Sequence, residues 1–256
     1  MSKPLFGLDG MVALITGGGS GIGKATAKAL AAQGARVVIT EMPGRSHLAQ
    51  AVAREIAEAG SEAMDITLDV RSPIAIPHVI DEALHRFGRL DILVNNAGTQ
   101  VYKPALEITA EEFDEVLDIN LRGAFLCAQA VAPAMREQAR GCIVNVSSQH
   151  GVVGNRMRAP YCASKGGLVN MTRALAVEWA GYGIRVNAVS PTFVVNDGNR
   201  DVLEASPLRE EIQRGVPLGR PATCEEVAAG ICYLVSPAAA MVTGHNLMID
   251  GGWTAQ

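Results

Sequence analysis

Seven short apolar runs, separated by longer segments, constrain this chain more than any other feature. The runs are 11–15, 36–40, 63–69, 90–95, 142–147, 184–189 and 246–250, and stretches of helical period fill 23–33, 49–59, 75–87, 110–138 and 161–180. Strand, helix, strand, repeated, makes βα units that feed a parallel sheet. Runs such as Val-Ala-Leu-Ile and Val-Val-Ile are apolar at consecutive positions, as expected of strands covered by helices on both sides. The prediction is an α/β fold with a doubly wound sheet of about seven parallel strands and helices on both faces. Seven strands argue against an eight-stranded barrel. With 256 residues, 48% of them hydrophobic, one large domain can bury its own core. No Pro/Ser/Gly tract or repeat divides the chain, so 1–256 reads as a single domain. The one long irregular stretch, around 191–217, is charged, bounded by prolines and carries Gly198. It reads as a lid or substrate loop that includes a short helix.

Composition excludes several classes. The formal net charge is −4 and no long basic run occurs, so nucleic acid is not an expected partner. Cys127, Cys142, Cys162, Cys224 and Cys232 are odd in number, dispersed and never spaced as CxxC. They read as reduced thiols of a cytoplasmic protein, with neither a disulfide framework nor a metal site. No stretch approaches the roughly 20 apolar residues of a membrane span. Residues 1–10 have no apolar core of signal-peptide length, so no membrane partner is expected.

The first run leads straight into Thr16-Gly17-Gly18-Gly19-Ser20-Gly21-Ile22-Gly23 and then an Ala-rich helical stretch. Glycines there let the backbone turn tightly and approach a pyrophosphate, and the helix start offers free N–H groups and a positive dipole end. Gly17, Gly19, Ser20, Gly21, Ile22 and Gly23 are therefore candidate dinucleotide-binding residues, in a Rossmann-type arrangement. A competing motif overlaps them. Gly18 to Lys24 reads G-x-x-x-x-G-K, but a nucleoside triphosphatase needs Ser or Thr next to hold magnesium, and Ala25 follows. At the end of the second run, Glu41 can accept hydrogen bonds from the adenosine ribose hydroxyls of NAD. Against the 2′-phosphate of NADP, about 4 Å away, it would add repulsion of about 4 kcal/mol per charge pair at an effective dielectric near 20. Arg45, four residues on, softens that preference. NAD is expected over NADP, with a merely solvated Glu41 as the alternative.

Tyr161 and Lys165 stand four apart in a helical stretch and share one face. A phenol is a poor base at neutral pH. An ammonium about 5 Å away supplies about 3 kcal/mol at that dielectric, roughly what is needed to make it useful. The spacing alone is weak, but the pair follows a strand ending in Ser147-Ser148, where open α/β sheets bind ligands. Ser148 could hydrogen-bond a substrate oxygen or simply cap local backbone.

These residues, with Asp69-Val70, Asn95-Asn96-Ala97-Gly98, Asn120 and the ending Asp250-Gly251-Gly252, resemble the short-chain dehydrogenases/reductases along essentially the whole chain. The resemblance implies an NAD(P)-dependent oxidoreductase that interconverts a secondary alcohol and a ketone. Tyr161 is then the general acid/base. Lys165 lowers its pKa and holds the nicotinamide ribose, Ser148 orients substrate, and Asn120 holds a water linking Lys165 to solvent. It likewise implies adenine contacts at Asp69 and Val70, a wall beside the adenosine ribose from Asn95, Ala97 and Gly98, and nicotinamide contacts from Pro191 and the Val194 backbone. A homotetramer, or less often a dimer, is implied as well. The chain departs from the family pattern at Thr192, where Gly is common, and at Asn196, where Thr is usual.

Gln149, His150, Arg156 and Arg158 flank the candidate site and suggest a small polar substrate such as a sugar acid or polyol. The two arginines could receive a carboxylate or could be solvated loop charges. A 3-oxoacyl thioester reductase and a non-catalytic dinucleotide-binding protein on the same fold are the alternatives.

Overall fold

Along the first strand, Val12 and Leu14 join one apolar core while Ala13 and Ile15 join another. This period of two recurs at Val38 against Val37 and Ile39, and at Leu93 against Ile92 and Val94, so the sheet separates two hydrophobic layers. The structure, a computed structural model, describes residues 5–196, 198–205 and 208–256. The signal-peptide reading of residues 1–10 and the loop reading of 191–217 fall partly on Met1–Pro4, Asp197, Ser206 and Pro207, which lie outside the described residues.

In chain order the elements are β1 (Val12–Thr16), α1 (Gly21–Ala32), β2 (Arg36–Glu41), α2 (Ser46–Glu58), β3 (Ala63–Thr67), α3 (Ala75–Phe87), β4 (Ile92–Asn95), α4 (Ala110–Leu117), α5 (Ala124–Glu137), β5 (Gly141–Val146), α6 (Ala159–Trp179), β6 (Ile184–Pro191), β7 (Val194–Val195), α7 (Arg200–Glu204), α8 (Leu208–Gly215), β8 (Ala222–Thr223), α9 (Cys224–Val235) and β9 (Asn246–Ile249). Seven strands form one parallel sheet in the order β3-β2-β1-β4-β5-β6-β9. Leu30, Ile56 and Ile231 bring α1, α2 and α9 onto one face. Ile80, Val131 and Leu175 bring α3, α5 and α6 onto the other. The chain winds outward through β2 and β3, then returns to place β4 on the opposite side of β1. That reversal opens a crevice beyond the carboxyl ends of β1 and β4, where this architecture binds ligands.

Two expectations are corrected. The helix expected over 110–138 is interrupted by a π-helical turn, Asp118–Gly123. The wider turn accommodates a buried Asn120 whose side chain bonds elsewhere, and a Gly123 so close to Val70 that a Cβ would meet Val70 Cγ2 at 2.9 Å. The stretch 191–217 contains two short helices, α7 and α8, where one was expected, and Val194–Val195 pairs with Ala222–Thr223 in a separate two-stranded ribbon. Leu203 and Ile212 from these helices join Phe193 and Val216 in a small third core, too sparse in sequence to show a helical period.

Candidate active site

Thr16 ends β1 and ties the glycine turn to the loop after β4. Its hydroxyl accepts from the N–H groups of Asn96 and Ala97, both at 3.0 Å. The Asn96 amide donates back to the carbonyls of Thr16 and Gly17, at 3.0 and 2.9 Å. Gly17 and Gly21 take φ of +62° and +52°, a region that side chains avoid. Gly23 is fixed by contact instead: a Cβ there would stand 2.2 Å from the Gly17 carbonyl oxygen. Ser20, at the N-cap of α1, makes no side-chain cap hydrogen bond. Open donors at a helix start, beside glycines that let a ligand approach the backbone, fit a pyrophosphate.

The neighbouring groups bear on which nucleotide fits. A Cβ on Gly19 would lie 3.0 Å from Glu41 Oε2, so this buried carboxylate stands at the rim of the turn. Arg45 bridges the same rim, its Nη2 donating to Ser20 Oγ at 3.1 Å and its Nε 4.0 Å from Glu41 Oε1. Lys24 turns away to Glu55 of α2 at 2.7 Å, which together with Ala25 counts against the triphosphatase motif. Farther along, Asp69 is gripped by Arg71 through Nε and Nη2, and that guanidinium holds its carboxyl below the usual range. Val70 is buried against Gly123. Asn95 points inward, its amide donating to Asn145 Oδ1 at 2.9 Å and the Ala124 carbonyl at 3.1 Å. Asn96 and Gly98 are the residues of that segment that reach the crevice.

Beyond β4, β5 and β6 lies a cavity of about 770 Å³ that brings together Ser148, Tyr161, Lys165, Gly98, Pro191 and Val194, with Ile22 of the glycine turn at its edge. Lys165 is buried, donates from Nζ to the Val146 carbonyl at 2.7 Å, and lies 5.6 Å from the centre of the Tyr161 ring. Burial lowers its pKa from 10.5 to about 8. Ser148 accepts from the His150 N–H at 3.1 Å and hydrogen-bonds the Tyr161 phenol. For that phenol, burial raises the pKa, and the bond to Ser148 and the charge of Arg158 work against the rise. Estimating the effect of a nearby ammonium from spacing alone leaves out this desolvation, which acts on the phenol and the amine together.

Asn120 acts as a strut here. Its Oδ1 accepts from the Thr99 N–H at 2.7 Å, and its Nδ2 donates to the Thr99 carbonyl at 2.9 Å and to Ser164 Oγ at 3.0 Å. Ser164 in turn donates to the Tyr161 carbonyl at 2.8 Å, so the π turn, the loop after β4 and the start of α6 are joined at one buried point. Both donors of the side chain are engaged, while Oδ1 accepts one of the two hydrogen bonds it can take.

At the far end of the cavity, Gln149, His150 and Arg158 face inward, whereas Arg156 is exposed and outside the lining. His150 packs edge-on against Tyr161 and Phe193, with ring centres 6.3 Å away in each case. Burial, reinforced by Arg158, lowers its pKa to about 4, leaving a neutral and weakly basic ring at pH 7. Gln149 Oε1, His150 Nδ1, Arg158 Nε and Thr192 Oγ1 are buried with no hydrogen-bond partner among the described residues, and all four residues line this cavity. Asn196 reaches back to the glycine turn, its Nδ2 standing 3.7 Å from where a Gly21 Cβ would be. The Val194 carbonyl is occupied by Asn199 Nδ2 at 2.9 Å.

Sequence reasoning did not select Thr16 or Asn96 as site residues, nor Gln100, Tyr102 and Phe193. The first two act through backbone contacts invisible to spacing, and the last three gather only in the fold. Among the described residues no group of three or more His, Cys, Asp or Glu side chains is placed to hold a metal ion, and no helix is long and apolar enough to cross a membrane.

A family profile described as enoyl-(acyl carrier protein) reductase matches residues 17–254. The chain is 40% identical over 249 residues to a D-threitol dehydrogenase of Mycolicibacterium smegmatis, covering 97% of this chain and 95% of that one. It is 41% identical over 246 residues to a 3-oxoacyl-[acyl-carrier-protein] reductase of Synechocystis, covering 96% and 97%. The crystal structure of a gluconate 5-dehydrogenase from Burkholderia cenocepacia in complex with NADP and tartrate superimposes with a TM-score of 0.93 at 34% identity, covering 98% of each chain. With this fold, this crevice and these relatives, the chain belongs to the short-chain dehydrogenase/reductase family and is an oxidoreductase acting on alcohols.

Proposed function

We propose that the enzyme uses NAD to interconvert a secondary alcohol and a ketone on a small polyhydroxylated substrate, a polyol or sugar acid. The observation that carries this reading is the meeting of Ser148, Tyr161 and Lys165 in one cavity beside the glycine turn. In the oxidative direction Tyr161 Oη accepts the proton of the substrate hydroxyl. Ser148 Oγ holds the substrate oxygen and steadies the charge that develops on it. Lys165, fixed by the Val146 carbonyl, places its charge near the phenolate that takes up this proton, favouring that form before the transfer. A bound nicotinamide dinucleotide supplies the hydride chemistry; Gly17, Gly19, Ser20, Gly21, Ile22 and Gly23 would hold its pyrophosphate and Glu41 its adenosine ribose. Asp69, Val70, Asn95, Ala97 and Gly98 would border its adenosine half, and Pro191 and Val194 its nicotinamide.

The substrate class is supported by the four unpartnered polar atoms of the cavity, which include both donors and acceptors. A buried polar atom left without a partner is costly, and substrate hydroxyls would supply partners. The relatives named for threitol and gluconate point the same way. The thioester-reductase alternative is supported by the Synechocystis relative, and the retained phenol–ammonium pair argues against a purely binding protein.

Formation of NADH, followed by its absorbance with threitol, glucitol and gluconate, tests this reading. Reduction of acetoacetyl-CoA at a higher kcat/KM than any polyol or sugar acid is oxidised would replace it with the thioester alternative. NAD should be used about 10²-fold better than NADP, a preference that Glu41→Gln should largely abolish, since it removes the repulsion and keeps a hydrogen-bonding side chain. Equal kcat/KM for the two nucleotides in the unaltered protein would refute the role given to Glu41. We also propose a cytoplasmic homotetramer. Phe113 on α4 and Phe125 on α5 remain exposed and favour helix-to-helix packing between subunits. Light scattering should return the tetramer mass, and a monomer would refute it.

A further inference from the structure

Arg158 lines the cavity with no carboxylate partner among the described residues. Its guanidinium carbon lies 5.1 Å from the centre of the Tyr102 ring and 5.6 Å from that of Phe193, so an aromatic ring steadies it from two directions. Its Nη1 reaches only a neutral acceptor, Gln100 Oε1, at a long 3.4 Å. Its Nε is buried without an acceptor. Arg71, Arg89 and Arg220, by contrast, each close on a carboxylate within 2.7 Å. Among the described residues none comes within 4.0 Å of Arg158. A partly desolvated charge in that state is expensive unless an anion completes it.

The anion is not supplied by the cavity's own carboxylate. Glu211 also lines the space, but its Oε1 is held by Asn155 Nδ2 at 2.9 Å, and that same amide lies 3.5 Å from His150 Nε2. Glu211 is therefore engaged through Asn155 with His150. The cavity thus presents a donor fork at Arg158 and acceptors at Glu211 and the His150 ring. A neutral polyol would satisfy the acceptors and leave the guanidinium bare. An aliphatic hydroxy acid would satisfy both, with its carboxylate on the guanidinium and its hydroxyls toward the acceptors.

Resting on the proposed dehydrogenase reading, we infer that Arg158 is the receptor for a substrate carboxylate, and that the substrate is an aliphatic polyhydroxy acid rather than a neutral polyol. Arg156, exposed two residues earlier, has no part in it. The test compares acids with alcohols that differ only by carboxylate against hydroxymethyl: threonate with threitol, and gluconate with glucitol. In the unaltered enzyme kcat/KM should favour the acid of each pair. In Arg158→Gln the acid-to-alcohol ratio should fall about 10²-fold, mainly through KM of the acid. Any general effect exerted through Tyr161 acts on both members and cancels in the ratio. Arg158→Lys, which keeps the charge but loses the fork, should give an intermediate ratio and decides the matter if the glutamine variant does not fold. NADH fluorescence reports folding of each variant. An unchanged ratio in either folded variant overturns the inference, with the dehydrogenase reading intact. If the unaltered protein oxidises neither series, that reading fails, and saturation-transfer NMR with threonate in the presence of NADH then decides. Binding lost in Arg158→Gln upholds the receptor; equal binding in both proteins, or none in the unaltered one, overturns it.

Discussion

Tyr161→Phe should bind NADH as the unaltered protein does and lose turnover by about 10³-fold, within the range that a positioned acid/base contributes. The substitution removes one oxygen and keeps the ring that packs edge-on against His150. The clamp of Ser164 on the Tyr161 carbonyl is backbone-mediated and survives, so the start of α6 stays in place. What disappears is the phenol that hydrogen-bonds Ser148, and with it the route for the substrate's proton. His150 makes a poor substitute. Burial and the charge of Arg158 hold its pKa at about 4, so its neutral ring is too weak a base to take a proton from an alcohol. Steady-state NADH formation, together with NADH fluorescence titration, measures the two quantities separately. Activity within tenfold of the unaltered enzyme would move the acid/base role to another group.

The fold was legible because the strands are short, mostly apolar at consecutive positions and bounded by turn residues, so all seven of the central sheet stand out without any topology. The glycine turn was legible for a similar local reason: strand, glycines and helix are contiguous. The site was legible only where its chemistry lies within one turn of helix, as with Tyr161 and Lys165. Arg156 and Arg158 look equivalent in sequence, and only the fold separates them, one exposed and the other between two rings. Asn120 falls within the helical stretch 110–138, and its special position does not show there, because a π turn adds a residue without changing composition. The two helices of 191–217 are legible only as one short helix of unplaced bounds, because their apolar residues pack mostly on each other, leaving too few to set a period. The balance of charges on Tyr161 could not be read from spacing either, since desolvation depends on everything that covers the phenol.

Lys165→Met should separate function from stability in opposite directions. Turnover should fall about 10³-fold and NAD affinity with it, because the variant lacks the charge near the phenolate and the donor facing the cofactor crevice. Stability responds to a different feature of the same side chain. In the folded protein burial disfavours its charged form, lowering the pKa to about 8, while in the unfolded chain the amine keeps its proton up to about 10.5. Below pH 8 the folded state thus carries a full penalty for holding that proton. As pH rises from 8 toward 10.5 the folded amine becomes neutral first and the penalty disappears. Methionine has no such penalty at any pH. The advantage of the variant over the unaltered protein in urea denaturation without cofactor should therefore be greatest at pH 7. It should shrink by about 2 to 3 kcal/mol by pH 10, the size expected from the gap between the two pKa values. Loss of the bond to the Val146 carbonyl offsets the comparison by a nearly constant amount, because a neutral amine still donates, and leaves this slope intact. A stability difference that does not change with pH would mean that the buried amine is solvated in a way its position under Gly98 and Val146 does not allow.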